Sequence, residues 1–393
     1  MHPYDYETAY VDSGCTARAS IAISTVCFLP DRLLIEFSSV TKRFPDGTVA
    51  VDSLDLTMAT GELTVLVGPS GCGKTTSLRM INRLDEASEG TIAVDGQDVR
   101  SRSLTDLRRG MGYVMQHSGL FPHRTIGDNI ATVPRLLGWG KKRIAARVDE
   151  LIDTVGLDAD MVARYPHQLS GGQQQRVGVA RALAADPPIM LMDEPFAAVD
   201  PIVRKRLQDE FLALQERLGK TIVFVTHDID EAIRLGDRIA VFGEGGHLAQ
   251  FATPDALLAS PQSDFVVDFL GAEPQLKRLS LISASRATPI EAPIIARGAD
   301  AETAVRASRQ AGTDWVLVLD DERRVAGWHR VAAYRADTTR PAERFDATVA
   351  AHETLRAALG ALVLAPLGVV ARLDGAGRFD GLLDQSSLNR ALC

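Results

Sequence analysis

Short unbroken apolar runs alternate with longer stretches whose apolar residues recur at helical spacing. Leu33-Leu-Ile-Glu-Phe37, Val49 to Met58, Leu63-Thr-Val-Leu-Val67, Thr91-Ile-Ala-Val94, Met111-Gly-Tyr-Val-Met115, Ile189-Met-Leu-Met192 and Thr221-Ile-Val-Phe-Val225 predict strands. The run at 189–192 has no polar alternation, which suits a strand buried on both faces. Asp95-Gly96 marks a turn. From Thr125 to about Arg164 helices are predicted, with Ile144, Val148, Leu151, Ile152 and Val155 on one face. This stretch interrupts the strand-rich pattern, so an inserted helical subdomain is expected over about residues 100–186. Ser170 is placed to cap another helix, and Asp200-Pro201 to start one carrying Leu207, Phe211, Leu214 and Leu218. Residues 1–32 show no sustained period and are expected to be a disordered extension.

The pattern changes after Gly271. Glu302-Thr303 opens a helical stretch, followed by Trp315-Val-Leu-Val-Leu-Asp320, a polar turn, and Val325-Ala-Gly-Trp328. Glu353-Thr354 opens another, followed by Val369-Val-Ala-Arg-Leu-Asp374, a Gly-rich turn, and Phe379-Asp-Gly-Leu-Leu383. Asp320 and Gly327 map onto Asp374 and Gly381, each 54 residues on, so residues 275–393 read as an internal α+β repeat.

At 393 residues, two or three domains are expected. A net charge of −8 implies no general affinity for nucleic acid. The four cysteines (Cys15, Cys27, Cys72, Cys393) fit neither a disulfide framework nor a zinc site, which points to a reducing compartment. The longest uncharged apolar run, Ala357 to Ala371, contains Pro366 and falls short of the roughly 20 residues a membrane span needs. Asp5, Glu7 and Asp12 precede the apolar stretch around Ile21–Leu29, where a signal peptide would carry positive charge. Action at a membrane would therefore require spans from another chain.

The densest chemistry is Gly68-Pro-Ser-Gly-Cys-Gly-Lys-Thr-Thr76, which fits G-x-x-x-x-G-K-[ST] between a predicted strand and helix. Glycines let successive N–H groups turn inward on a phosphate, and the helix N-terminus adds positive charge. Lys74 supplies a full charge for the β- and γ-phosphates, and the Thr75 hydroxyl is placed to ligate Mg²⁺. About 100 residues on, Leu169-Ser-Gly-Gly-Gln173 forms a second anion-binding element at a helix start. One chain has one lysine-bearing loop, so this element is read as facing nucleotide held by a second copy. Asp193 and Glu194 close the buried strand at 189–192, where ligands sit in open α/β sheets. There one acid can serve Mg²⁺ and the other orient water; two surface acids at a strand end are the alternative. His227 ends the strand at 221–225 on the same sheet edge. Phe44, before a turn, is open to stacking on adenine or to a core role, and Gln116 ends its strand as a surface amide would.

With these residues in order, the region from about Leu34 to Gly271 resembles the nucleotide-binding subunit of an ATP-binding cassette (ABC) transporter. The Leu-Ser-Gly-Gly-Gln element is the specific part, because many P-loop NTPases share only the phosphate loop. The resemblance implies an α/β P-loop fold over 33–271, ATP and Mg²⁺ as ligands, and roles position by position. Phe44 stacks on adenine. Ser70, Gly71, Cys72, Gly73, Lys74, Thr75 and Thr76 hold phosphates. Thr75, Gln116 and Asp193 serve Mg²⁺. Glu194 is the general base, and His227 contacts the γ-phosphate. Ser170, Gly171, Gly172 and Gln173 close on ATP held by the opposite subunit of a head-to-tail dimer, with Asp200 at that interface.

Met80-Ile-Asn-Arg-Leu84, Gly119-Leu-Phe-Pro-His123 and Ile130-Ala-Thr-Val-Pro-Arg-Leu-Leu-Gly-Trp139 narrow the likeness to ATPases of osmoprotectant importers, which take up glycine betaine, choline, carnitine or related quaternary amines. The repeat at 275–393 resembles a tandem pair of cystathionine-β-synthase (CBS) regulatory modules. In such modules a hydroxyl residue and, three on, an aspartate hold ribose. Here those positions are Arg330 and Ala333, then Asp384 and Ser387, and neither pair matches. A dimerisation or spacer domain stands beside the sensor reading. The implied partners are a second ATPase subunit, a membrane permease and a substrate-binding protein, with this chain peripheral on the cytoplasmic face of the membrane. An amino-acid or polyamine importer is the alternative within the class. A soluble, non-transport ABC ATPase is the alternative outside it, disfavoured because no second cassette, coiled-coil insertion or zinc-ligand cysteines are visible.

Overall fold

The computed structural model describes residues 33–116, 119–197 and 200–392. The extension expected over 1–32 lies outside them. The first sheet is antiparallel, ordered β2-β1-β4-β5, from β1 (Leu33–Arg43), β2 (Val49–Ala59), β4 (Glu89–Val94) and β5 (Gln97–Asp98). Asp95 and Gly96 both take positive φ in the β4–β5 turn, as the Asp-Gly pair predicts. Between β2 and β4 come β3 (Leu63–Val67) and α1 (Lys74–Ile81).

The second sheet has the order β10-β9-β3-β8-β7-β6. Its further strands are β6 (Met111–Val114), β7 (Ile189–Asp193), β8 (Thr221–Thr226), β9 (Arg238–Phe242) and β10 (Leu248–Ala252). All neighbours are parallel except β9 and β10. Strict alternation sends successive side chains to opposite faces. Leu63, Val65, Met190, Met192, Ile222 and Phe224 join the helices on one side. Leu66, Ile189, Leu191, Val223 and Val225 join the core shared with the antiparallel sheet and α1. A sheet covered on both faces tolerates no polar stripe, which is why β3, β7 and β8 read as continuous apolar runs.

Helices α2 (Leu104–Arg109), α3 (Ile126–Ile130), α4 (Thr132–Leu136), α5 (Lys141–Thr154) and α6 (Gly171–Leu183) fill the stretch before β7. The helical subdomain expected over about 100–186 starts too early at that boundary. Met111–Val114 pairs residue for residue with Ile189–Met192 and belongs to the sheet, so the helical run proper opens at α3. The run at 111–115 reads as a strand on its own, and the bound at about 100 encloses it within the helical stretch.

Helices α7 (Pro201–Leu218), α8 (Ile229–Leu235), α9 (Pro254–Ala259) and α10 (Asp264–Leu270) complete this part, and α11 (Pro274–Arg278) leads out of it. Two βαββα repeats follow. The first is β11 (Ile294–Ala296), α12 (Ala301–Ala311), β12 (Trp315–Leu319), β13 (Val325–Arg330) and α13 (Val331–Ala336). The second is β14 (Thr348–Ala350), α14 (Leu355–Val363), β15 (Val370–Leu373), β16 (Phe379–Leu383) and α15 (Gln385–Leu392). The leading strands β11 and β14, parallel to β12 and β15, have only three residues each, and the sequence pattern does not reveal them. Each repeat lends its lead-in to the other. Trp328 of the first exchanges backbone bonds with Glu343, which precedes the second, and Ile290, which precedes the first, donates to Leu382 of the second. Gly327 and Gly381 make room for those crossings. A Cβ on Gly327 would stand 2.5 Å from the Glu343 carbonyl, and one on Gly381 2.6 Å from Pro289.

Helix α11 ties the two parts together. Lys277 pairs with Asp230 of α8 at 2.7 Å, and Arg278 with Asp255 of α9 at 2.6 Å. Arg278 also donates to the Leu392 carbonyl at the end of α15 (2.6 Å), and Arg356 N–H to that of Leu279 (3.1 Å).

Candidate functional site

The chain leaves β3 at Val67 and turns through Gly68–Gly73 into α1. Gly73 has φ +90°, and a Cβ there would lie 2.0 Å from the Ala50 carbonyl, so only glycine fits. Ser70 and Gly71 are exposed, while the Cys72 thiol is buried among core residues under the antiparallel sheet. Burial pushes that thiol above its ordinary pKa. At this position the loop therefore offers its backbone to the outside, not its sulfur. Lys74 is buried and donates to the carbonyls of Gly68 (2.8 Å) and Pro69 (2.7 Å), so its ammonium lies within the curl of its own loop. Thr75 and Thr76 follow in the first turn of α1, both half-buried.

Strand β7 carries its two acids to the edge where this loop emerges. The Thr75 hydroxyl donates to Asp193 Oδ1 at 2.8 Å. Burial raises the Asp193 pKa above the usual carboxylate value; the Thr75 hydrogen bond opposes the shift and the neighbouring Glu194 charge adds to it. Glu194 has φ +44° and donates its N–H to the Val225 carbonyl. Its Oε2 accepts from Gln116 Nε2 and from His227 Nδ1, each at 3.2 Å. Glu194 is thus held between residues from the ends of β6 and β8. The His227 side chain is 57% exposed against 20% for Glu194, so the imidazole stands over the carboxylate with its other face free.

Other residues expected at the site lie apart from this cluster. Ser170 and Gln173 form a capping box at the start of α6: Ser170 Oγ accepts from Gln173 N–H, and Gln173 Oε1 from Ser170 N–H. Among the described residues no hydrogen bond or ion pair joins 170–173 to the phosphate loop, and Gly171 is exposed. Asp200 precedes α7, its carbonyl accepting from Arg204 N–H. Phe44 is half-buried after β1, with Lys42 Nζ 5.1 Å from its ring centre.

One residue at the site was not legible beforehand. Tyr113 lies on β6 beside Asp193, and burial together with that carboxylate's charge pushes its phenol up to about 12. A tyrosine within an apolar strand reads as core, and nothing in the sequence marks it out.

Thr75, Asp193 and Gln116 supply oxygen donors at the mouth of the loop, and oxygen is what Mg²⁺ selects. No group of three His, Cys, Asp or Glu side chains able to hold a metal occurs among the described residues. A divalent ion at this mixed set thus relies on phosphate and water for its remaining ligands.

A phosphate loop on a parallel sheet, with a hydroxyl–carboxylate pair and a supported second acid at the strand ends, defines a P-loop nucleotide-binding cassette. The profile of the ABC transporter family matches residues 51–197. The osmoprotectant import ATP-binding protein OsmV of Salmonella typhimurium is 44% identical over 364 residues, 90% of this chain and 94% of that protein. The choline transport ATP-binding protein OpuBA of Bacillus subtilis is 46% identical over 75% of this chain and 78% of its own length. A dimeric ATP-binding cassette solved after hydrolysis with ADP and Pi superimposes with a TM-score of 0.51 at 33% identity, covering 56% of this chain and 99% of that one. The chain belongs to the ATP-binding subunits of ABC transporters. Its class activity is ATP hydrolysis.

Proposed function

We propose that this chain energises import of quaternary-amine osmoprotectants, such as glycine betaine or choline, by hydrolysing ATP beneath a separate membrane permease. One observation carries the reading. Likeness to an osmoprotectant import protein runs over 364 residues, through the cassette and on into the C-terminal repeats. A shared cassette alone would speak only for ABC ATPases in general.

In this reading Lys74 and the backbone of residues 70–76 bind the phosphates, and Phe44 stacks on the base. Thr75, Gln116 and Asp193 hold Mg²⁺, which when bound offsets phosphate charge. Glu194 takes a proton from water attacking the γ-phosphate, and its bonds from Gln116 and His227 fix the carboxylate's direction. Ser170, Gly171, Gly172 and Gln173, with Asp200, meet ATP on a partner copy in a head-to-tail dimer. Support for that arrangement is that residues 170–173 stand free of their own phosphate loop, and that solved cassettes of this fold are dimeric. Permease and substrate-binding protein complete the importer. No helix among the described residues is long and apolar enough to cross a membrane, in keeping with a peripheral subunit on the cytoplasmic face. The division into a cassette at 33–271 and CBS-type regulatory modules at 275–393 is supported by the matching registers of the two repeats.

The test is uptake of labelled glycine betaine and choline under osmotic stress, with partner genes present and other importers removed. Wild type is compared with Glu194→Gln at equal expression. Uptake should be lost in the variant; wild-type cells that import neither amine would refute the substrate assignment.

A further inference from the structure

Residues 170–173 open α6, and the rest of that helix runs between the end of α5 and α7. Where these three helices meet the end of β7 lies a pocket of about 440 Å³. It is separate from the nucleotide site: none of the residues read above as serving ATP or Mg²⁺ lines it. Its size is that of a small-ligand site, roughly 300–1,000 Å³.

The inner wall is apolar and already formed. Met192, Phe196, Leu207, Phe211 and Leu214 line it, and all five are buried. Phe196 and Phe211 meet edge to face with ring centres 6.0 Å apart. Phe224, which does not line the pocket, packs against both rings at 5.8 and 6.2 Å.

One polar group on the lining has no partner. Gln175 of α6 is only 7% exposed, yet its side chain makes no hydrogen bond among the described residues. Its sequence neighbours are engaged: Gln174 Nε2 donates to the carbonyls of Pro166 (3.0 Å) and Leu169 (3.2 Å), and Arg176 Nη1 to that of Gly156 (2.8 Å). A buried amide left unpaired is costly, and it offers an occupant both a donor and an acceptor.

The charges around the pocket cancel. Asp153, Glu210, Arg176 and Arg217 line it, two of each sign. Arg176 and Glu210 pair at 2.5 Å, which leaves one exposed residue of each sign, Asp153 and Arg217. Such a lining selects neither an anion nor a cation, and a charged group would lose hydration against the apolar wall.

We propose that this pocket binds one small uncharged amphiphile per chain, with its apolar body against Phe196, Phe211 and Leu214 and its hydrogen-bonding end on the Gln175 amide. The occupant packs against the helix that residues 170–173 open and against Phe196, two residues beyond Glu194. The proposal is independent of which substrate the importer carries.

The test is calorimetric titration of octanol into the full chain at neutral pH and fixed ionic strength, with octanoate and octylammonium titrated in parallel. Saturable binding of one equivalent of octanol is expected, tighter than either charged probe. Gln175→Leu keeps the bulk and removes the amide, and should weaken octanol roughly tenfold, about what one hydrogen bond supplies. Ala213→Trp, at an exposed position of α7 on the lining, should abolish binding by filling the pocket. Retained ATP binding shows that each variant folds. Should Gln175→Leu fail to fold, Ala213→Trp alone decides. Absence of saturable octanol binding, equal or tighter binding of a charged probe, or octanol binding left unchanged in either folded variant would each overturn the proposal.

Discussion

Glu194 is a glutamate in the left-handed region, where non-glycine residues are uncommon and carry strain of the order of 1–3 kcal/mol. The turn that imposes it brings the carboxylate under both Gln116 and His227. Glu194→Gln preserves size and charge-independent contacts while removing the carboxylate proposed as the base. It should leave ATP affinity intact and lower single-turnover hydrolysis by roughly 10²–10⁴-fold, read by rapid quench. Asp193 makes a different prediction. Its raised pKa means that the fold disfavours the charged form. Asp193→Asn keeps an oxygen for the Thr75 hydroxyl and removes the buried charge. The nucleotide-free variant should melt above wild type at neutral pH, while hydrolysis is lost. The sign follows from linkage: the native carboxylate penalty is full above the folded pKa and vanishes as pH falls towards the ordinary value of 3.8. The advantage of asparagine should shrink in step, in melting curves taken across that range. The identities of Asp193 and Glu194 were legible from a strand that ends in two acids. The backbone turn that aims one of them was not, because glutamate carries no signal for positive φ.

Elements were legible in proportion to their length and periodicity. β3, β7 and β8 announce themselves because both faces are buried, and α6 because Ser170 and Gln173 spell a capping box. Ser170→Ala should cost about 1 kcal/mol of stability in urea titration. β11 and β14 escape a pattern search because three residues define no period; only pairing with longer neighbours makes them strands. Arg372 shows the same limit from another side. An arginine within Val369-Val-Ala-Arg-Leu373 reads as an outward-facing charge, yet a ring of carbonyls and Asp380 draws it inside. Truncating it strands those acceptors. Arg372→Ala should therefore destabilise the C-terminal repeats by about 3 kcal/mol, visible as an earlier transition in denaturant unfolding.

The order of the whole molecule, cassette then duplicated appendage, was readable from motif positions and from the 54-residue echo. How the parts are joined was not, since the linking pairs lie far apart in sequence. Asp230 and Lys277 are a surface couple, as are Asp255 and Arg278; each contributes modestly, and salt weakens both. Lys277→Ala with Arg278→Ala should raise the rate of proteolytic cleavage around residues 270–290, as high salt should in the wild type, while basal ATP hydrolysis persists. Unchanged cleavage would show that packing alone fixes α11.

That junction sits a short way along the chain from His227. Asp228, next after His227, caps α8 by accepting the N–H groups of Asp230 and Glu231, and Asp230 in turn holds Lys277. The C-terminal repeats are thereby moored, through Lys277 and Asp230, to a helix whose cap is the residue that directly follows His227.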